Sequence, residues 1–338
     1  MKTVTFIACS LITVTGFSQM DSFDADPSEL VYDILQGQSI SVSNVQFQGH
    51  TRQIGYFYGN VENIPFQTGI IMSSGLVNGY GPWGPNDTTR ADYDFGRPGD
   101  SDLQATFPLS TLNDAAVLEF DFVPSSDWLK MKLLFASEEY GFGTFSTNFN
   151  DGIGIYLIDP NNIKTNIALV QNQNISVNTI NPNVNSTFYI TNGNGSQAPY
   201  NSSNTYCRYD GLTRPIDISA SVTPNQTHHL KIAIGDSGDG SFDSALFLEA
   251  FSMMAVGLKD DLESNLQLSP NPVNDFLTVE SSTENLTIHI LDLNGKNLLS
   301  KDLSGLSEAL DLSSLQSGTY LVKLCSSTNT LTKKILKL

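Results

Sequence analysis

LEFDFVPSSDWLKMKLLFASEEYGFGTFSTNFNDGIGIYLID, residues 118–159, is the stretch that decides the fold. In its first run Leu118, Phe120 and Phe122 alternate with Glu119 and Asp121, the period-two pattern of a strand with one wet face. Leu129, Met131, Leu133 and Phe135 repeat the pattern against Lys130 and Lys132. The third run, Gly152 to Ile158, is apolar on both faces apart from Tyr156, which predicts a strand near the middle of a packed sheet. The connecting loops carry Glu138 and Glu139, then Asn150 and Asp151, so the densest apolar sequence adjoins paired acids.

Strand signals continue outward in both directions. Upstream lie SISVSNVQFQG (39–49), the aromatic IGYFYG (54–59) and TGIIMSSGLV (68–77), a buried run punctuated by Gly69 and Gly75. SELVYDILQG (28–37) predicts one short helix, with Ser28 as cap and Leu30, Ile34 and Leu35 on one face. Residues 78–102, dense in Gly, Pro and Asp, predict a long loop in which Trp83 and Tyr93 stack on a sugar or pin the loop to the core. Downstream come IALV (167–170), ISVNTI (175–180) and STFYITN (186–192), followed by an Asn-, Ser- and Gly-rich tract read as an exposed loop. THHLKIAIGD (227–236) and SALFLEAFSM (244–253) predict a hairpin whose loop holds Asp236, Asp239 and Asp243. No helical period recurs over a useful length, so the expected fold is all-β: a large sandwich or jelly roll followed by a small Ig-like sandwich.

The 338 residues and the net charge of -18 set the broad class. The chain is long enough for two cores, and its acids are concentrated before residue 266. An acidic main domain repels phosphate backbones and anionic headgroups, which argues against nucleic acid as a partner and favours cations. MKTVTFIACSLITVTGFSQ opens with one Lys, an apolar run and the small residues Gly16 and Ser18, the pattern of a secretory signal cleaved before Gln19. No later run reaches the ~18 apolar residues of a membrane helix. Cys207 and Cys325 remain after cleavage, in different domains, so stability is expected from packing rather than a disulfide.

Composition shifts after Gly257: GLKDDLESN is a short acidic linker, and LSPNPVNDFLTVES opens a second domain with a Pro-bounded turn and the strand Phe276 to Val279. LTIHILDLNGKNLLSKDL predicts a hairpin turning at Asn294 and Gly295, with Leu286, Ile288 and Ile290 on one side. The expected boundaries are a signal peptide at 1–18, a main domain at 19–258, a linker at 259–265 and a small domain at 266–338.

Two resemblances rest on these motifs. DFGRPGDSDL, DAAVLEFDFVP, LLFASEEYGFGTFSTNFNDGIGIYLIDP, YDGLT and THHLKIAIGDSGDGSFDSALFLEAFS, taken in order, resemble the choice-of-anchor L domain of exported bacterial surface proteins. SPNPVNDFLTV, ILDLNGK, LDLSSLQSGTYLVKL and KKILKL resemble the C-terminal sorting domain of type IX secretion. The second resemblance implies a bacterium of the Bacteroidota, export by the Sec translocon, and passage by the type IX machinery to the cell surface or medium. It also places the sorting signal on Pro270, Asn271, Pro272, Gly295, Lys296, Gly318, Tyr320, Lys333 and Lys334.

Three chemistries compete for the acids of the main domain. GDSGDG (235–240) looks superficially like a serine-protease stretch, but a triad needs a positioned His and a buried Asp. His228 and His229 fall on opposite faces of a strand and cannot share a metal. Glu138 or Glu139 opposite Asp151 or Glu249 would suit a glycan hydrolase, and Glu249, between Phe247 and Phe251, reads as a carboxylate on an apolar face. The reading preferred is a structural Ca²⁺ site drawn from Glu138, Glu139, Asn150, Asp151, Asp236, Asp239 and Asp243, in a non-enzymatic adhesion or ligand-recognition module. Its spacing is not that of an EF-hand, because Gly238 stands where a ligand would be needed. A glycan or other surface ligand is the expected partner of that module.

Overall fold

The structure is a computed structural model that describes residues 21–59, 64–78, 91–108, 111–142, 149–193, 207–238, 240–256, 266–281, 286–293, 295–303, 307–325 and 330–338. The signal-like segment 1–18, Trp83, Asp239, Asn294 and the linker 259–265 lie outside the described residues. The chain divides into two compact units, one before residue 255 and one from there onward, residues 125–129 and 221–224 grouping with the second.

The strands of the first unit are β1 (Asp21–Asp24), β2 (Ile40–Gln48), β3 (Ile54–Tyr58), β4 (Thr68–Ser73), β5 (Leu112–Pro124), β6 (Trp128–Ser137), β7 (Gly152–Ile158) and β8 (Lys164–Asn166). They continue with β9 (Leu169–Val170), β10 (Gln173–Asn174), β11 (Tyr189–Thr191), β12 (Gly211–Thr213), β13 (Ile216–Ser221), β14 (His228–Ser237) and β15 (Ser244–Glu249). One sheet has the order β2-β5-β14-β7-β8; the other runs β1-β3-β4-β15-β6-β12-β11, with β13 also on β6, and every register given is antiparallel. The fold is all-β and of sandwich type, as the alternating runs predict.

The strands that read as continuous apolar runs are those buried on both faces. In β5, Leu118, Phe120 and Phe122 face one way, while Ala115 and Val117 face the other and pack with Leu103, Phe107, Tyr156 and Ala233. Leu103 lies on α2 (Ser101–Thr106), a helix within the stretch expected as loop. Asp100 caps it by accepting from the amides of Asp102 and Leu103, both at 3.0 Å. A second core on the far face of the other sheet joins Phe57, Ile71, Leu134, Ala136, Ala245 and Phe247 to Tyr209 and Cys207. Cys207 is a buried free thiol, pushed up to about 12 by burial.

Two expectations are corrected. β14 and β15 do not form a hairpin: β14 lies between β5 and β7, whereas β15 lies between β4 and β6 in the other sheet. Each strand is apolar on both sides and lies between two neighbours in its own sheet, so β14 and β15 belong to different layers. The first helix begins as α1 (Pro27–Glu29), capped by Asp26 rather than Ser28, and continues as a π-helical turn, Leu30–Leu35. Its i−5 bond, from the Gln36 amide to the Val31 carbonyl at 2.9 Å, rotates the buried face to Leu30, Val31 and Leu35, leaving Ile34 half-buried.

In the second unit, Gln267–Ser269, Phe276–Glu280 and Ser307–Asp311 form one sheet in that order. Asn297–Asp302, Thr287–Leu291, Gly318–Cys325 and Thr330–Lys337 form the other, in that order. Leu277, Val279, Leu286, Ile288, Ile290, Val322, Leu324 and Ile335 enclose its core. The expected hairpin is present, with Gly295 at φ 82° in its turn.

Candidate functional site

One end of the main sandwich gathers the ends of six strands. β4 ends at Ser73 and β6 at Ser137; β5 and β7 begin nearby at Leu112 and Gly152; β14 ends at Ser237, and β15 starts at Ser244. The links between these ends are short. The Glu138 amide donates to the Asp243 carbonyl at 3.1 Å, the Ser74 amide to the Ser244 carbonyl at 3.1 Å, and Gln53 Nε2 to the carbonyls of Ser74 and Asp114, both at 2.7 Å. Asp114, Glu138, Glu139, Asp151, Asp236 and Asp243 are all buried in this region.

Most of these carboxylates hold backbone. Asp114 stands at φ 48° inside β5 and accepts from the amides of Phe95 at 2.8 Å and Arg97 at 2.6 Å. Asp243 accepts from the Tyr93 amide at 3.0 Å, and Glu138 Oε1 from the Ala91 amide at 2.8 Å. Three buried acids thereby clamp residues 91–97, and Gly75 makes room for one of them, since a Cβ there would fall 1.7 Å from Asp243 Oδ2. Asp151 joins the two sheets, accepting from the Ser237 amide and from Ser244 Oγ, each at 2.7 Å.

Asp236 is different. It sits where the register between β14 and β5 shifts. The residue is 1% exposed and makes no close hydrogen bond among the described residues, with the Ser74 hydroxyl beside its carboxyl. Burial first, then the charges of Asp151 and Asp243, pushes its carboxyl well above the ordinary range. Burial does the same to Asp243, with Asp92 and Asp151 adding to it. Glu138 is pushed up to about 8, chiefly by burial and also by Asp210, against the opposing pull of Arg208 at 3.8 Å.

The residues expected to bind Ca²⁺ are thus only partly gathered. Asp151, Asp236 and Asp243 come together. Glu138 joins the same end of the sandwich but turns toward Arg208 and Asp210, and Glu139 is buried in the 3-10 turn Glu139–Phe142. Asn150 accepts from the Asn178 amide at 2.8 Å. Asp239 lies outside the described residues. Glu249 is corrected: its side chain is 34% exposed and pairs with Lys132 at 3.5 Å, because Phe251 turns outward at φ 57° and leaves no apolar face around it. Sequence reading missed Asp114, whose left-handed backbone has no sequence signal, and the Arg208–Asp210 pair at 3.3 Å. His228 is buried and stacked on Phe122, while His229 Nδ1 lies 2.8 Å from Asp121, on the opposite face as expected.

A second feature lies at the edge formed by β1 and β3. Phe23 pairs in register with Tyr56, and Tyr58 follows two residues on, so the three rings share a face. Their centroids are 6.3 Å and 4.5 Å apart, with Phe23 44% and Tyr58 51% exposed. Tyr93, expected to stack on a sugar or pin its loop, packs edge-on against Phe95 at 4.8 Å.

In the second unit Asn271 fastens the last strand: its Nδ2 donates to the Lys334 carbonyl at 3.2 Å, and its Oδ1 accepts from the Leu336 amide at 3.0 Å. Pro270 and Pro272 flank it in cis peptide bonds. The Lys296 amide donates to Asp292 at 2.9 Å, Tyr320 Oη to the Gln316 carbonyl at 2.8 Å, and Lys333 Nζ to the Leu266 carbonyl at 3.3 Å. Gly318 and Lys334 lie on the paired strands of this edge.

Among the described residues, no helix is long and apolar enough to cross a membrane. No curated protein matches the chain. Among solved structures, a PorZ surface component of the type IX secretion system of Porphyromonas gingivalis is 13% identical, covering 30% of this chain and 14% of that one, with a TM-score of 0.22. The BSP domain of a biofilm-associated protein is 8% identical, covering 71% and 55%, at 0.20. A β-glucuronidase from Ruminococcus gnavus is 9% identical, covering 66% and 35%, also at 0.20. Likenesses this slight, to chains of which this one spans little more than half at most, carry no argument. Family models are specific where these structures are not: residues 19–254 match the choice-of-anchor L domain and residues 267–337 the secretion system C-terminal sorting domain. The chain belongs to the choice-of-anchor L family and carries a type IX C-terminal sorting domain.

Proposed function

We propose that the main unit is a non-enzymatic recognition module that binds a neutral polysaccharide at the bacterial surface through the aromatic row Phe23, Tyr56 and Tyr58. The sorting domain indicates export to the cell surface or the extracellular space and implies the type IX machinery as partner. Entry to that route through the Sec translocon belongs to the proposal. The observation that carries the binding reading is the row itself: rings on one face of a sheet edge, two of them exposed, offer a sugar apolar area and hydroxyls at little entropic cost. A net charge of -18 disfavours acidic glycans and leaves neutral ones.

The burial of the acids supports a module without turnover. Of the carboxylates a hydrolase would draw on, Glu138, Glu139 and Asp151 are buried, Glu138 and Asp151 being occupied in holding loops, while the half-buried Glu249 is paired with Lys132. A general acid has to reach the glycosidic oxygen of its substrate within hydrogen-bond distance. Affinity electrophoresis in gels containing neutral or uronate polysaccharides tests the proposal. Retardation of the full chain by a neutral polymer, lost in Phe23→Ala/Tyr58→Ala, is expected; equal retardation of that variant would overturn the assignment.

A further inference from the structure

A groove of about 600 Å³ opens beside the turn that follows β15, lined by Lys130, Lys132, Asp217, Glu249, Phe251 and Met254, all of the first unit. Small-ligand sites span ~300–1,000 Å³. The groove is separate from the aromatic row. Glu249 is in register with Gly69 and Gly69 with Phe57, whereas Tyr56 and Tyr58 alternate with Phe57, so Glu249 and the row leave the sheet by opposite faces. Phe251 is the anomaly here, a bulky residue in left-handed backbone at φ 57° whose ring is 55% exposed. Such a conformation persists only where its surroundings over-determine it. The Phe251 amide donates to the Ile34 carbonyl at 2.7 Å, and the Ala250 amide to the Thr68 carbonyl at 3.0 Å. Ser252 Oγ accepts from the Lys132 amide at 3.2 Å and donates to the Glu249 carbonyl at 2.7 Å. Fastened to the π-helical turn, β4 and β6, the turn holds an aromatic ring rigidly at the side of the groove.

The charges of the groove are balanced, two lysines against two acids, within a chain of net charge -18. Lys132 Nζ lies 3.5 Å from Glu249 Oε2 and 3.9 Å from Asp217 Oδ1. Both separations exceed the ~2.7–2.9 Å of a charge-assisted hydrogen bond, so the ions stand close without being consumed by one another. A ligand of one sign would pull on half of this set and leave the other half uncompensated. A ligand of both signs exchanges one set of ion pairs for a shorter one. We propose that the groove binds a zwitterion with an apolar body, a free amino acid or a dipeptide. Its carboxylate meets Lys132, its ammonium meets Glu249 and Asp217, and its side chain packs against Phe251 and Met254. This site goes beyond the polysaccharide reading and does not depend on it.

The test is calorimetric titration of the full chain with L-leucine, with L-leucyl-L-leucine, and with N-acetyl-L-leucinamide, which keeps the side chain and lacks both charges. One site per chain is expected for a zwitterionic probe, with the blocked amide weaker by about tenfold or more. The tighter of the two zwitterions identifies the source, amino acid or dipeptide. Glu249→Gln should weaken binding by about tenfold. Phe251→Gly suits the left-handed backbone, so it should melt no lower than the unmodified chain and yet bind more weakly. Phe23→Ala/Tyr58→Ala should bind leucine or the dipeptide unchanged, which keeps the fate of this site apart from that of the polysaccharide reading. Three results would overturn the proposal: no heat with either zwitterion at millimolar concentration, equal affinity for the blocked amide, or undiminished binding in both Glu249→Gln and Phe251→Gly. The first two need no variant, so they decide the matter even where a variant does not fold.

Discussion

Replacing Glu138 with Gln should flatten the loss of stability that rising pH brings. The Glu138 carboxyl is 3% exposed and pushed up from its ordinary value of 4.5 to about 8, first by burial and then by Asp210. A carboxyl harder to ionise in the folded chain binds its proton more tightly there. Its stabilisation is therefore complete below pH 4.5 and is lost as the pH rises toward 8. Each pH unit in that interval removes about 1.4 kcal/mol, so ~3 kcal/mol has gone by pH 7. Gln copies the protonated form: its Oε1 still accepts from the Ala91 amide, and its Nε2 can donate to Asp210. Urea unfolding followed by fluorescence from pH 5 to pH 8 should show the unmodified chain losing stability as pH rises and Glu138→Gln losing less. The variant should be the more stable by about 2–3 kcal/mol at pH 7. Some slope should remain, because Asp236 and Asp243 are shifted in the same direction. Parallel profiles, or a native protein that gains stability toward pH 8, would refute the reasoning.

Other perturbations probe separate parts of the fold. Lys231 reaches Asp100 at 2.6 Å and Asp102 at 2.8 Å, so Lys231→Met leaves a buried carboxylate uncompensated and should cost ~3 kcal/mol or more in urea unfolding; Lys231→Met/Asp100→Asn should recover part of that. Gly75→Ala places a methyl 1.7 Å from Asp243 Oδ2 and should lower stability by about 1–3 kcal/mol, and an unchanged melting temperature would contradict the clamp on residues 91–97. Asn271→Ala removes two bonds to the last strand; hydrogen exchange at the Leu336 amide should quicken, and the second unit should lose ~1–2 kcal/mol.

The sheet layers were legible where burial is one-sided. Leu118, Phe120 and Phe122 announce β5 because Glu119 and Asp121 must face water, and the hairpin around Gly295 follows from the need for a positive φ. Strands buried on both faces carry no such phase. SALFLEAFSM was therefore readable as a strand but not assignable to a sheet, and the pairing of β15 with β4 rests on contacts 170 residues apart, such as Ser244 to Ser74. Glu249 shows the converse failure: alternation placed it between two phenylalanines, but Phe251 leaves the strand and Lys132 supplies the charge. The acids at 138–139, 151 and 236–243 were visible as a group because loops collect polar residues at strand ends. Which of them bind backbone and which is left over depends on one bulge in β14 and one left-handed residue, Asp114, and neither leaves a mark in the sequence.

Binding without turnover is the claim on which the rest depends. The most direct measurement is incubation of the full chain with a neutral polysaccharide that retards it, with reducing ends and bound protein assayed in the same tube. The expected result is bound protein and no new reducing ends, with binding diminished by Tyr58→Ala and unaffected by Glu139→Gln/Asp151→Asn in folded protein. Release of reducing ends by the unmodified chain, abolished in Glu139→Gln/Asp151→Asn, would contradict it.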